Sequence, residues 1–264
     1  MRAIASGVAL AQRLKLPYTL KWPVNNDLFA GFNDIFEQTE WLPVIDNISS
    51  KQDLLFCDGP RKKNLFLSPL LQVGRYGLKI DDSKLEPLLD QPHAVEQLIS
   101  EVDGTILIRT GSEFYPNSDT LYRSLFKPTE AIFREAERRL KIDKGERPVG
   151  LHIRRTDNTL SILNSPDELF ENAIREELET NPQTKFYLAT DNEEVKFNLH
   201  RLFGDCITYS TKKADRTSRD GIIEGITEMT SLSMCSKIYG SYWSSFSEAA
   251  ARIGSISLIQ LKAN

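Results

Sequence analysis

Cysteine is scarce in this chain: three residues of 264, Cys57, Cys206 and Cys235, odd in number and unevenly spaced. That pattern fits neither a disulfide framework nor the paired C-x-x-C spacing of a zinc site, so free core thiols in a reducing, cytoplasmic setting are expected. An excess of positive charge is also missing. The 33 Lys and Arg residues face 37 Asp and Glu, and the net charge of -4 gives no electrostatic case for nucleic acid or another polyanion as partner. Any anion bound here must be held locally. No stretch approaches the roughly 18 to 20 uninterrupted apolar residues of a membrane span. No G-x-G-x-x-G turn follows a strand-like run, which leaves a dinucleotide without its usual sequence support.

What is present is 40% hydrophobic residues over 264 positions, enough for a sizeable core and, by length, for two modest domains. The opening "MRAIASGVALAQRLKL" has the early Arg and apolar run of a signal peptide. Gln12, Arg13 and Lys15 fall at helical spacing, however, and Ala3, Ile4, Val8, Leu10, Ala11 and Leu14 make one broad apolar face, so an amphipathic first helix is expected. Strand-like runs come next at 16–23, closed by Pro23, and at 41–45, 53–57 and 104–111, with a short helix within 31–37. Turn-rich "CDGPRKKN" and "PNSD" separate them. The segment "KPTEAIFREAERRLKIDKGE" (127–146) carries helical periodicity through Ile132, Phe133, Ala136 and Leu140, with Pro128 and Thr129 as start signals and Gly145 as the stop. The domain boundary is placed at this helix, giving an irregular α/β domain over 1–126 and a second domain over 127–264.

Beyond the boundary, strands at 147–153, 185–191, 206–211, 237–243 and 255–261 alternate with helices at 165–180, 192–204, 218–236 and 244–254. Such alternation implies right-handed βαβ crossovers and a parallel sheet covered on both faces. The fold class is therefore α/β, with a Rossmann-like C-terminal half whose ligands bind at the carboxyl ends of the strands.

That rule gathers scattered residues at one edge. His152, Arg154, Arg155 and Asp157 end the first strand in "GLHIRRTDN", and Thr190 and Asp191 end the second. Ser244, Ser245, Phe246 and Ser247 stand where "KIYGSYW" passes into a helix. Arg and Asp are almost never buried unpaired, so a buried strand ending in this cluster should deliver charge to a partner. Serine hydroxyls and the first free amides of a helix make an anion site, and two arginines facing it suit a bidentate phosphate. A nucleoside diphosphate is the economical ligand. Each signal also has a plainer reading. The arginines would be a solvated edge or an ion pair, the serines an N-cap, Asp191 the cap of the helix at 192, and His152 a satisfied core histidine. Their coincidence at one sheet edge favours the functional reading. The basic loop "TKKADRTSRDG" (211–221) comes after a strand at that same edge, so Arg216 or Arg219 would either join the diphosphate site or sit in solvent.

The segments "VGLHIRRTDN", "FYLATDN" and "GSYWSSFSEAAARIG", in this order and at these separations, resemble the three C-terminal motifs of the GDP-fucose-dependent fucosyltransferases. That superfamily comprises the α-1,6-, Nod-factor and protein O-fucosyltransferases. The opening "MRAIASGVALAQRLKLPYTLKWP" is similar to the segment after the glycine-rich Gly-Asn-Arg or Gly-Asn-Gln loop of those enzymes, and the resemblance is specific over 149–254. It implies a GT-B architecture: two Rossmann-like domains facing a cleft, with the nucleotide sugar held mainly by the C-terminal one and the acceptor side given by 1–126. Carried over by motif position, His152 and Asp191 contact the guanine end of GDP and Arg154 holds the diphosphate. Arg155 supports that site or the departing phosphate charge, Asp157 orients the arginines, and Ser245, Phe246 and Ser247 line the phosphate and ribose pocket. Arg154 and Arg155 are thereby the catalytic candidates. The implied reaction is an inverting, metal-independent transfer of fucose from GDP-fucose to a hydroxyl of a glycan or other acceptor, with no cofactor besides the donor substrate. No Asp-x-Asp motif occurs, in keeping with a site where arginines and a helix N-terminus meet the negative charge arriving on the leaving β-phosphate.

Two departures from the family pattern accompany the resemblance. The glycine-rich loop expected just before residue 1 is absent, so either the chain begins late or part of the sugar site is missing. No general base is evident either: after Asp157 the first acids, Asp167 and Glu168, open a helix and read as partners of its dipole. A non-catalytic GDP-sugar-binding relative is the main alternative, and a Rossmann-like enzyme with a different phosphorylated ligand is the third.

Overall fold

A computed structural model describes residues 1–24, 28–39, 42–48, 76–140, 146–156 and 159–263. The strand-like run at 53–57, the turn "CDGPRKKN", Gly145 and Asp157 lie outside the described residues. The chain divides into two compact units, Met1–Phe126 and Lys127–Asn264. Among the described residues, no helix is long and apolar enough to cross a membrane.

The first unit opens with α1 (Arg2–Leu14), which buries Ala5, Ser6, Val8, Leu10 and Ala11 and ends at Lys15 in a left-handed conformation. Burial of Ser6 is tolerated because its hydroxyl donates to the Tyr115 carbonyl at 2.9 Å and accepts the Phe114 N–H at 3.1 Å. β1 (Leu20–Pro23), α2 (Phe32–Ile35) and β2 (Val44–Ile48) come next, with β1 and β2 paired in parallel. β3 (Leu78–Ile80), α3 (Asp82–Leu85), α4 (Pro92–Ser100) and β4 (Ile106–Ile108) form a second parallel pair with its connection, and α5 (Asp119–Leu125) closes the unit. Leu10, Ile80, Leu85, Val95, Ile99 and Phe114 make one core cluster. A chain of aromatic contacts, Trp22 to Phe32 to Phe36 to Phe126 to Tyr122, makes another.

The second unit runs α6 (Glu130–Leu140), β5 (Val149–Ile153), α7 (Thr159–Asn164), α8 (Asp167–Thr180), β6 (Phe186–Thr190), α9 (Glu193–Phe203), β7 (Ile207–Tyr209), α10 (Arg219–Ser233), β8 (Lys237–Ser241), α11 (Ser245–Gly254) and β9 (Ser257–Leu261). Its five strands are all parallel, in the order β7-β6-β5-β8-β9. The two faces of the sheet differ. Val149, Leu151 and Ile153 of β5 join Phe186 and Leu188 of β6 in an apolar layer with Phe170 and Ile174 of α8 and Val195 and Leu199 of α9. Gly150 faces the other way, where a Cβ would come within 3.1 Å of Leu232 Cδ2 on α10, so its bareness allows the close approach of that helix. α10 is in turn tied to α6 by a buried bidentate pair, Arg139 to Glu224 at 2.6 and 2.7 Å.

The chain adds β6 and β7 on one side of β5, then crosses back to add β8 and β9 on the other. Crossovers therefore leave β5 and β8 in opposite directions, which makes their carboxyl ends the switch point where open parallel sheets hold ligands.

Candidate functional site at the carboxyl edge of the parallel sheet

His152, Arg154 and the start of α11 meet at this switch point because β5 pairs with β8 in a register that sets His152 opposite Gly240. A glycine is required there. A Cβ at 240 would lie 2.7 Å from Ser247 Oγ and 2.9 Å from Leu258 Cδ1, so only a bare backbone admits the first turn of α11. Ser247 is fully buried in that junction, and its hydroxyl donates to the Ser244 carbonyl at 3.2 Å.

Ser244 is the N-cap of α11, yet its hydroxyl makes no cap bond and faces His152 Nδ1 at 3.4 Å. The His152 ring stacks on Phe246, with centroids 4.8 Å apart and planes inclined by 23°. Burial, with the Arg154 charge second, lowers the His152 pKa to about 4, so the ring is neutral at physiological pH. The first amides of α11, those of Ser245 and Phe246, have no partner within the helix and carry its positive dipole end.

Arg154 is anchored at both its backbone and its side chain. Its N–H donates to Ser241 Oγ at 3.0 Å, and its Nε lies 3.1 Å from Asp191 Oδ2. Asp191 also accepts the Arg155 N–H at 2.8 Å, the Thr156 hydroxyl at 2.6 Å and the Thr156 N–H at 3.3 Å. One carboxylate at the end of β6 thus sets the turn after β5. Asp191 does not cap the helix at 192; Asn192 does so, accepting from the Val195 N–H at 3.0 Å.

Arg155 is committed elsewhere. Its Nε donates to Asp167 Oδ1 at 2.9 Å, one terminal nitrogen to the Arg154 carbonyl at 2.8 Å, and the other to the Ser165 carbonyl at 2.7 Å as well as to Asp167. Its guanidinium also lies over the Phe170 ring. The adjacent arginines therefore have distinct surroundings: Arg154 is held between Ser241 of β8 and Asp191 after β6, and Arg155 pins the turn to the start of α8. Asp167 stands in the first turn of α8, as its place after "NSP" led one to expect, and it has a cation as well as a dipole to meet.

His152, Arg154, Asp191, Ser244 and Phe246 are thus brought together. Ser245 is exposed at the mouth of α11, and Ser247 is turned into the protein. Arg216 and Arg219 lie exposed in a segment ordered by Asp215, which accepts from the Thr217 N–H and hydroxyl, and by Ser218, which caps α10. Ser241, Thr156, Ser165 and Gly240 also build the edge and were not singled out from sequence. Only Gly240 left a trace there, as a glycine inside a strand pattern.

No protein-family model matches the chain, and no curated protein matches its sequence. In three dimensions it is similar to the NodZ α-1,6-fucosyltransferase soaked with GDP-fucose, with a TM-score of 0.61 and 17% identity over 95% of this chain and 87% of that one. POFUT1 in complex with GDP gives a TM-score of 0.59 and 10% identity, covering 98% and 94%. A mutant of Arabidopsis thaliana FUT1 in complex with GDP gives 0.60 and 13%, covering 97% and 66%. The fold is thus the mixed α/β, GT-B-like fold that the resemblance implied, built in its second half on a five-stranded parallel sheet. The three solved proteins named here are fucosyltransferases.

Proposed function

We propose that the protein is a glycosyltransferase that uses a GDP-sugar, GDP-fucose by preference, and moves the sugar to a hydroxyl of a glycan or other acceptor with inversion and without a metal. The observation that carries this reading is the placing of Arg154, held by Ser241 of β8 and Asp191 of β6, two residues after His152, whose ring meets Ser244 and Phe246 at the start of α11. In this reading 127–264 holds the donor and 1–126 supplies the acceptor side.

The chemistry rests on the groups present. The diphosphate lies against the amides of Ser245 and Phe246, with the Arg154 guanidinium opposite. The acceptor oxygen bonds to the anomeric carbon from the face away from the phosphate, and the bond to the β-phosphate oxygen breaks. The hydroxyl proton passes to solvent water, and the electron pair of the broken bond goes to the phosphate. Arg154 and the helix dipole are fixed before the reaction, so they meet that charge without reorganising. Neutral His152, stacked on Phe246, presents a hydrogen-bonding ring to the nucleoside without adding charge. Asp191 and Arg155 act as positioning residues, since each holds the Arg154 turn from a different element.

Incubation with GDP-fucose and a glycan panel in EDTA tests the proposal. GDP release above the protein-free rate is expected, reduced about a hundredfold or more in Arg154→Ala. Absence of release with every acceptor, or equal release by the variant, contradicts it.

A further inference from the structure

Ser165 stands between α7 and α8 and is fully buried. Its hydroxyl donates to the Leu261 carbonyl of β9 and accepts the Tyr242 N–H at 2.8 Å, in the turn between β8 and α11. Its carbonyl accepts from the Arg155 guanidinium at 2.7 Å, in the turn after β5. Its own N–H donates to the Ser161 carbonyl at 2.9 Å, and the Ser161 hydroxyl, also fully buried, donates to the Tyr242 carbonyl at 2.6 Å. The Asn164 carbonyl accepts the Ala263 N–H at 2.7 Å, so the junction is moored to the chain after β9 as well. Apolar packing does little to place α7: of its six residues Ser161 alone is buried, whereas Leu160 and Leu163 are 49% and 70% exposed. Polar bonds set the position of this segment, and two of them converge on Tyr242.

We infer that Ser165 is a positioning residue of the donor site, holding the start of α11 in register with the arginine turn after β5. This inference rests on the transferase reading above. In that reading one diphosphate spans Arg154 and the amides of Ser245 and Phe246, which arrive from the ends of different strands. Contacts of that kind weaken when their groups drift by more than about 0.5 Å. The Arg154 N–H bond to Ser241 Oγ ties the two turns together at the end of β8. Past that point the chain runs through Tyr242 and Trp243 before the helix begins, and Trp243 has φ 58. A non-glycine residue keeps that conformation only where its neighbours fix the backbone. Ser165 and Ser161 fix it from the side of Tyr242, holding both its N–H and its carbonyl. Ser165 does so while its own carbonyl holds Arg155, so one residue bears on both halves of the phosphate site. Serine suits the place because a small hydroxyl donates and accepts at once; alanine would take that partner from both the Tyr242 N–H and the Leu261 carbonyl.

The test compares Ser165→Ala with Ser6→Ala, since the buried Ser6 hydroxyl makes the same kind of pair in the first unit, one bond to a carbonyl and one from an N–H. Melting temperature, calorimetric affinity for GDP and for guanosine, and amide exchange at Arg154 and Glu248 are read for each. Those two N–H groups bond to Ser241 and Ser244, on either side of the turn. Both variants are expected to lose several degrees of melting temperature. Ser165→Ala alone should weaken GDP about tenfold, leave guanosine within about twofold and quicken exchange at both amides. Ser161→Ala should move the same readouts by about threefold, and it carries the test if Ser165→Ala does not fold. Unchanged GDP affinity and exchange in Ser165→Ala, an equal loss of GDP and guanosine, or the same GDP loss in Ser6→Ala overturns the positioning role. If wild type binds no GDP while exchange at both amides still quickens in Ser165→Ala and not in Ser6→Ala, the donor reading fails and the mooring of the α11 turn by Ser165 stands.

Discussion

Arg154 and Asp191, from the ends of adjacent strands, form an ion pair with Nε 3.1 Å from Oδ2, and the same carboxylate holds the backbone of the next two residues. Asp191 thus both partners Arg154 and shapes the turn that carries it. Asp191→Ala removes the partner of the part-buried Arg155 N–H, of the exposed Thr156 N–H and hydroxyl and of Arg154 Nε, and is expected to weaken GDP binding by roughly tenfold, since one partly buried unpaired group costs about 1 to 3 kcal/mol. Amide exchange at Arg155 and Thr156 should quicken in parallel. A variant with normal GDP affinity and unchanged protection would remove Asp191 from the site.

Arg155 predicts a different signature. Its guanidinium bonds to Asp167 and to the carbonyls of Arg154 and Ser165. Arg155→Ala should lower unfolding stability by about 1.5 to 3 kcal/mol, the range for hydrogen bonds to a charged group. Lys is expected not to restore it, because a point charge cannot reproduce the planar fork. Urea unfolding of the three proteins decides this, and full rescue by Lys would show that charge alone matters.

Gly240→Ala places a methyl group 2.7 Å from Ser247 Oγ and 3.0 Å from its Cβ. Separating α11 from β8 to relieve the clash should cost about 1 to 3 kcal/mol and misplace the amides of Ser245 and Phe246. Loss of both melting temperature and GDP affinity is expected. A variant that melts like wild type and binds GDP normally would show that the junction has room.

Glu228 of α10 is 4% exposed, and its Oε1 lacks a hydrogen-bond partner. Around it stand Tyr187 of β6, Arg139 of α6 in its pair with Glu224, and Lys196 of α9 in its pair with Glu193. Burial first, and the Glu224 charge second, push the Glu228 pKa up from 4.5 to about 8. Between those values the native state keeps a proton that the unfolded chain has lost, so stability falls as pH rises through this window and levels off above it. Glu228→Gln removes the penalty. The variant should melt close to wild type near about pH 4.5 and several degrees higher near about pH 8.5. A melting difference that does not change with pH would place the ionisation elsewhere.

Legibility from sequence differed between the two units for a physical reason. In the second, long helices separate strands such as "GLHI" and "FYLAT", and β5 and β6 are buried at every position, so apolar runs and helical periodicity were both strong signals. Cap identity was less legible: by sequence Asp191 stood as a cap of the helix at 192, where Asn192 performs the capping. In the first, β3 spans three residues and α3 four, too short for either period to register, whereas β4 falls inside the strand-like run at 104–111. At the site, sequence spacing brought His152, Arg154 and Asp191 to one edge. The different surroundings of Arg154 and Arg155 were not readable, because they depend on Asp167, Ser165 and Asp191 arriving from other elements. α7 was missed because its six residues leave Leu160, Ile162 and Leu163 exposed to solvent rather than packed in a core.

The most direct measurement is calorimetric titration of GDP into wild type and Arg154→Ala in EDTA. Micromolar affinity in wild type and a loss of about 2 kcal/mol or more in the variant, the range for removing a charge-assisted contact, are the predicted results. Folded proteins that both fail to bind GDP, or that bind it equally well, would contradict a diphosphate site at the carboxyl edge of β5.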